Sequence, residues 1–198
     1  MFVFIGLLGS RVRGKAKPDS DIDVVVIFKE LSIDCLVAYE VVTHTMPNRD
    51  LLCGFVSGME ELKALDKSDL FTFVYDTKAV HGSLGFLKKD IQTEDIKRFI
   101  RASAGNSYHM ILHNYLHGKS AEAIQAVFKN VRFVIQGKQY LKTEKFQSDI
   151  GELLLNAEEL DRQVLSRFLE IQQGTAIQLQ QDTTLIFHWA KETLQAMK

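Results

Sequence analysis

The sequence predicts an α+β chain in which a small first domain of strands and short helices is followed by an α-helical bundle. Three observations carry that expectation. Both prolines, Pro18 and Pro47, lie in the first quarter, and seven of the twelve glycines precede residue 86. The first part holds short apolar runs rich in β-branched residues, separated by the turn-forming clusters KPDSD and TMPNRD, which is how strands are punctuated. After residue 90 proline is absent and apolar residues recur at steps of three and four, the mark of amphipathic helices. The expected domains are 1–85 and 86–198.

Taken in order, Phe2–Leu8, Ile22–Phe28, Leu51–Val56 and Phe71–Tyr75 read as strands. Between the second and third, Asp34–Val42 reads as a helix with Leu36, Val37, Tyr39 and Val42 on its apolar side, and MEELKAL as a shorter one. Strands alternating with helices fit an α/β or α+β domain. Four helical stripes follow. They run from Ile96 to Tyr115, from Ile124 to Ile135 after a Ser120 cap, from Leu153 to Phe168, and from Ile177 to Leu194 with Trp189 in the core. Each stripe needs a partner, and an antiparallel bundle is the simplest burial.

Bulk properties narrow the function. The 198 residues are 46% hydrophobic and 25% charged, with 24 basic against 25 acidic residues and a net charge of -1. This is a globular balance, and it argues against a polybasic surface for nucleic acid or membrane. Cys35 and Cys53 are too few for a disulfide framework and read as free thiols of a cytoplasmic protein. No apolar run reaches the 18 or so residues of a membrane span. The opening MFVFIGLL lacks the basic flank of a signal peptide and reads as a buried strand.

The chemistry lies in Gly9–Asp23, GSRVRGKAKPDSDID. Asp21 and Asp23 are two apart at the start of an apolar strand, so both carboxylates leave one face. Two such groups repel unless a cation joins them, and hard oxygen ligands suit Mg²⁺ carried on phosphates. Two ions about 4 Å apart would clamp an in-line phosphoryl displacement. Upstream, Gly9 lets the backbone approach a phosphate and Ser10 adds a hydroxyl.

The stretch LLGSRVRGKAKPDSDIDVVVIF resembles the signature of the minimal nucleotidyltransferases of the polymerase-beta superfamily. The matching positions are Gly9, Ser10, Arg11, Arg13, Gly14, Ser20, Asp21 and Asp23. The resemblance implies a mixed sheet with flanking helices, Mg²⁺, and transfer of a nucleoside monophosphate from a nucleoside triphosphate, ATP first among them, with pyrophosphate leaving. It makes Asp21 and Asp23 metal ligands and Gly9, Ser10, Arg11, Arg13 and Ser20 nucleotide-binding residues. A third carboxylate is expected on a neighbouring strand. Asp50, at the head of RDLLCGFV, fits best as ligand and base, ahead of Asp34 and Asp76. DLFTFVYDTKAVHG resembles the family's close, a short helix and last strand ending at glycine. Family members usually open with a helix, whereas this chain opens on the strand.

The helical half resembles the substrate-binding bundle of bacterial members such as the aminoglycoside nucleotidyltransferases. A small-molecule acceptor is the first expectation. A toxin-like protein or an RNA, as for antitoxin-type members, and a degenerate binding module are the alternatives. The acceptor is expected in a cleft with Asp21, Asp23 and Asp50 on one wall and Asn106, His109 and Lys138 on the other, and two chains could share that cleft as a homodimer. His109, His113 and His117 share one helical face, which reads as solvated or interhelical. Lys138, Lys142 and Lys145 read as solvated lysines at a helix end.

Overall fold

The computed structural model describes residues 1–197. They form two compact units, Met1–Ile91 and Gln92 onward, and each is described by itself.

The first unit is built on β1 (Phe2–Leu8), α1 (Gly9–Val12), β2 (Ile22–Phe28), α2 (Ile33–His44), β3 (Leu52–Gly58), α3 (Met59–Ala64), α4 (Lys67–Asp76), β4 (Lys78–His81) and α5 (Gly85–Asp90). The sheet order is β3-β2-β1-β4. β1 runs antiparallel to β2 and β4, while β2 and β3 are parallel, so the sheet is mixed and the α+β expectation holds. β1 and β2 span the residues their apolar runs predict. Phe4, Val25 and Ile27 face Leu62, Leu70, Val74, Leu84 and Leu87, and this cluster is the unit's core.

Two readings of this unit are corrected. The run Phe71–Tyr75 is not a strand. Asp66 caps α4 by accepting from the Ser68 amide at 2.8 Å, and Leu70, Phe71 and Val74 bury one helical face. Cap and period outweigh the β propensity of the aromatics. The helix of α2 is present, but Leu36, Val37 and Val42 face solvent. Its buried residue is Thr43, and Tyr39 and Thr43 border Leu52, Gly54 and Val56 of β3. Apolar residues surround this helix on several sides, so the pattern could not fix which side packs.

The second unit comprises α6 (Thr93–His113), α7 (Ala121–Thr143), α8 (Ile150–Leu155), α9 (Glu159–Gln172) and α10 (Leu179–Ala196). α6 packs on α7 and α10, and α9 on α7 and α10. Ile100, Ile111, Phe128, Val131, Ile135, Val164, Ile186 and Trp189 form the dry interior. Gly137 of α7 permits the α6 crossing, because a Cβ there would lie 3.1 Å from Ile100 Cγ1. The stripe Leu153–Phe168 is divided. α8 is capped by Asp149 and stops before Asn156, and α9 begins after Glu158.

The interior holds two buried carboxylates, each paired. Asp161 accepts from Lys138 Nζ at 2.7 Å and from Trp189 Nε1 at 2.8 Å. Lys138 is therefore not a solvated lysine: its side chain is 13% exposed. Asp182 accepts from Arg167 Nε at 2.7 Å, from Arg167 Nη2 at 3.0 Å and from the Gln178 amide at 2.7 Å. The Asp182 hydrogen bond, more than any other influence, raises the Arg167 guanidinium further above its ordinary value. Removing one partner of such a pair strands a buried charge. Asp182→Ala is expected to cost about 3–5 kcal/mol in urea unfolding, and replacing both Arg167 and Asp182 by apolar residues of similar size should recover much of it. A loss below about 1 kcal/mol for Asp182→Ala would place the pair with ordinary surface ion pairs.

Candidate active site

The site grows from the end of β1. Leu8 pairs with Asp23 across the sheet, and the chain then turns through Gly9 at φ +83°. That left-handed backbone favours glycine, and packing demands it: a Cβ on Gly9 would lie 1.9 Å from Asp23 Oδ2. The Asp23 carboxylate thus rests against the bare backbone at the start of α1. Ser10 follows in this single helical turn, and its hydroxyl has no hydrogen-bond partner among the described residues.

The loop after α1 folds back on itself. Gly14, at φ +66°, lets the chain reverse, and the Lys15 amide donates to Ser10 O at 3.0 Å. Arg11 ties the loop's far end, donating from Nη2 to Ser20 O at 2.6 Å and from Nε to Asp21 O at 3.2 Å. Ser20 Oγ accepts from the Lys17 amide at 2.9 Å. Arg11 and Ser20 therefore shape the loop that delivers Asp21 and Asp23. Arg13 forms an ion pair with Asp76 at the end of α4. Asp76, one of the weaker third-carboxylate candidates, is engaged there.

Asp23 shares the sheet face of Val25 and Ile27 by strand alternation. It is half-buried. Burial first, and repulsion from Asp21 second, push its carboxyl above the ordinary aspartate value, while Arg13 opposes them. No side chain among the described residues forms an ion pair or hydrogen bond with Asp23. A carboxylate without a bonded partner beside Asp21 is a charge arrangement that a cation would stabilise.

The expected third carboxylate is placed differently. Asp50 is exposed, in a 3₁₀ turn (Arg49–Leu51) ahead of β3. In the parallel register the residue level with Asp23 is Cys53, an exposed free thiol. Sequence reasoning missed Cys53 at this position because the register of β3 against β2 is a long-range fact. Among the described residues no three His, Cys, Asp or Glu side chains converge to hold a metal ion. The chain thus supplies two adjacent carboxylates without a closed cage. That donor set fits Mg²⁺, which binds through one or two carboxylates with substrate phosphates completing its octahedron. Asp21 and Asp23 would hold it. A cavity of about 280 Å³ lies elsewhere, around Lys138, Asp161 and Trp189, and a groove of about 310 Å³ borders Tyr39, Arg49 and Cys53. The open shelf at Asp21 and Asp23 belongs to neither.

Residues 3–67 match the nucleotidyltransferase domain family. The first unit carries a nucleotidyltransferase domain. Along the whole chain, the fold is similar to that of spectinomycin adenyltransferase AAD(9) from Enterococcus faecialis, solved with ATP and spectinomycin. The superposition has a TM-score of 0.58 and covers 98% of this chain and 92% of that one at 15% identity, a likeness of fold. No curated protein matches the chain in sequence. The motif reading and the mixed sheet therefore lead to one class, an enzyme of nucleotidyl transfer. No helix among the described residues is long and apolar enough to cross a membrane.

Two outcomes test this geometry. Because Asp23 holds its proton more tightly in the folded chain, the folded state binds more protons than the unfolded one just above the ordinary aspartate range. Stability then falls as pH rises through that window, and the charge is a net cost at neutral pH. Asp23→Asn is expected to raise the melting temperature of the ligand-free nucleotidyltransferase at neutral pH; a lower melting temperature would mean that the charge is compensated. Gly9→Ala is expected to displace Asp23 and lower the melting temperature, with backbone strain alone costing about 1–2 kcal/mol. An unchanged melting temperature would show that the carboxylate is free to move aside.

Proposed function

We propose that this nucleotidyltransferase moves a nucleoside monophosphate from a nucleoside triphosphate, ATP before the others, to a hydroxyl of a small molecule, with Mg²⁺ as metal and pyrophosphate as leaving group. The observation that carries the reading is the Asp23 carboxylate packed on Gly9 beside Asp21, with no ion-pair or hydrogen-bond partner among the described residues.

In this reading the Gly9–Ser10 backbone and the Ser10 hydroxyl hold the terminal phosphates. Arg11 fixes the loop, and Arg13 spreads positive potential toward Asp23 and the phosphates. Asp21 and Asp23 would hold one or two Mg²⁺ ions, which would supply charge neutralisation for the triphosphate and the departing pyrophosphate. The acceptor oxygen attacks the α-phosphorus, the bond from that phosphorus to the pyrophosphate oxygen breaks, and the hydroxyl proton passes to a base. Asp50 is the carboxylate nearest in sequence to the start of β3, and its turn would have to carry it toward Asp23. The small-molecule acceptor is favoured by the likeness to a fold solved with ATP and spectinomycin.

The test is titration of Mg²⁺-ATP into the wild-type chain and into Asp21→Ala and Asp23→Ala. Each variant is expected to bind at least about tenfold more weakly, about 1.4 kcal/mol. Equal binding by all three removes the metal-ligand assignment. Labelled ATP incubated with pools of small hydroxyl compounds, and separately with cell protein and RNA, identifies the acceptor. Label confined to small products supports the proposal, and label on a macromolecule assigns the acceptor to that class instead.

One observation favours a second reading, a domain that binds nucleotide with little turnover. Cys53 stands level with Asp23 where a third carboxylate would complete the row. If that vacancy of charge limits the chemistry, Cys53→Asp should raise pyrophosphate release from Mg²⁺-ATP while Asp50→Ala leaves it unchanged. If Asp50 is the base, Asp50→Ala should lower release by about 10²-fold or more and Cys53→Asp should not help.

A further inference from the structure

His109, His113 and His117 follow each other at steps of four along the solvent side of α6, but the two intervals are not alike. The His109 and His113 rings lie on regular α-helix with centroids 6.1 Å apart. The His113 and His117 rings are 4.9 Å apart. The difference coincides with a π-helical turn, Asn114–Gly118, that ends α6.

That turn is built. Asn114 is 5% exposed, accepts from the Ser120 amide at 2.9 Å and donates to Ser120 O at 3.0 Å. Lys119, at φ +54°, donates its amide to Asn114 O at 2.7 Å. Gly118 leaves room for this clasp, since a Cβ there would lie 2.6 Å from Asn114 Oδ1. The π turn is thus held by part-buried hydrogen bonds, and the closer ring pair is the one that stands on it.

The spacing has a chemical meaning. With metal–nitrogen bonds of about 2.0–2.1 Å and a nitrogen about 1.1 Å from its ring centre, two imidazoles stand about 5.1 Å apart on a tetrahedral ion and about 4.5 Å apart on a square-planar one. The 4.9 Å of His113 and His117 falls between these values. The 6.1 Å of His109 and His113 would need a nitrogen–metal–nitrogen angle of about 150°, which neither geometry offers. The pair also sits at the C-terminal end of a 21-residue helix, where the macrodipole favours a cation. Imidazole pairs select late transition-metal dications and not Mg²⁺.

We propose that His113 and His117 form a two-imidazole site for a late transition-metal dication such as Zn²⁺, Ni²⁺ or Cu²⁺, separate from the Asp21 and Asp23 shelf. No third His, Cys, Asp or Glu among the described residues completes a group with them. The bound ion therefore keeps positions open to water or to a donor from another molecule.

The test is calorimetric titration of Ni²⁺ and Zn²⁺ into the tag-free full chain at neutral pH, with excess Mg²⁺ present. One ion per chain is expected. His113→Ala and His117→Ala should each weaken binding at least tenfold, and His109→Ala less than twofold. Gly118→Ala keeps all three imidazoles but forces Asn114 aside, and it should also weaken binding severalfold. All three histidines are exposed, and circular dichroism of each variant should match the wild type. Absence of binding, an equal loss for His109→Ala and His117→Ala, or an unchanged affinity for Gly118→Ala overturns the proposal.

Discussion

The contact on which the first unit depends is the Asp23 carboxylate lying where Gly9 would carry a side chain. It joins the end of β1 to the start of β2 at the level where Leu8 pairs with Asp23. Everything around it follows. Gly9 takes a left-handed backbone, and α1 begins there, with Ser10 next in the turn. The loop must then return to β2, and Arg11 closes it by donating to the carbonyls of Ser20 and Asp21. The arginine-glycine part of the motif is thus explained by loop closure as much as by ligand binding.

The half-buried Asp23 differs from the paired carboxylates of both units, and the contrast separates structure from function. In the helical unit Asp161 and Asp182 each receive a cationic nitrogen and a further donor. A buried carboxylate so satisfied needs no further ligand to offset its burial. In the first unit the arginine that could pair with Asp23 is committed to Asp76. Asp23 keeps the cost of burial and of its neighbour Asp21 without a direct partner. A chain selected only for stability would replace such a residue, because uncompensated burial is among the costs that single mutations readily relieve. The strain fits a residue kept for a ligand that arrives with its own positive charge.

The sequence made some of this legible and hid the rest for identifiable reasons. β1 and β2 were readable because they are short, apolar and flanked by turn residues. The carboxylate pair was readable because strand alternation is local. Phe71–Tyr75 misled because aromatics favour strands, while the deciding signal, the Asp66 cap, lies outside the run. Lys138 misled because its partner Asp161 is 23 residues away. Cys53 could not be placed beside Asp23 without the parallel register of β3, and no count of residues supplies a register.

The same reasoning explains why histidines at equal spacing are not equivalent. A step of four along a helix gives a shared face, and that much was visible in the sequence. What a metal distinguishes is about an ångström of ring separation, and the closer pair is the one that includes the π turn. Asn114 and Gly118, neither of them a ligand, decide it through a hydrogen-bonded clasp to Ser120. At the other site Gly9 plays the corresponding part for Asp23. In both places the chemistry-bearing side chain is common, and its meaning comes from a small residue that lets a polar group occupy space a Cβ would fill.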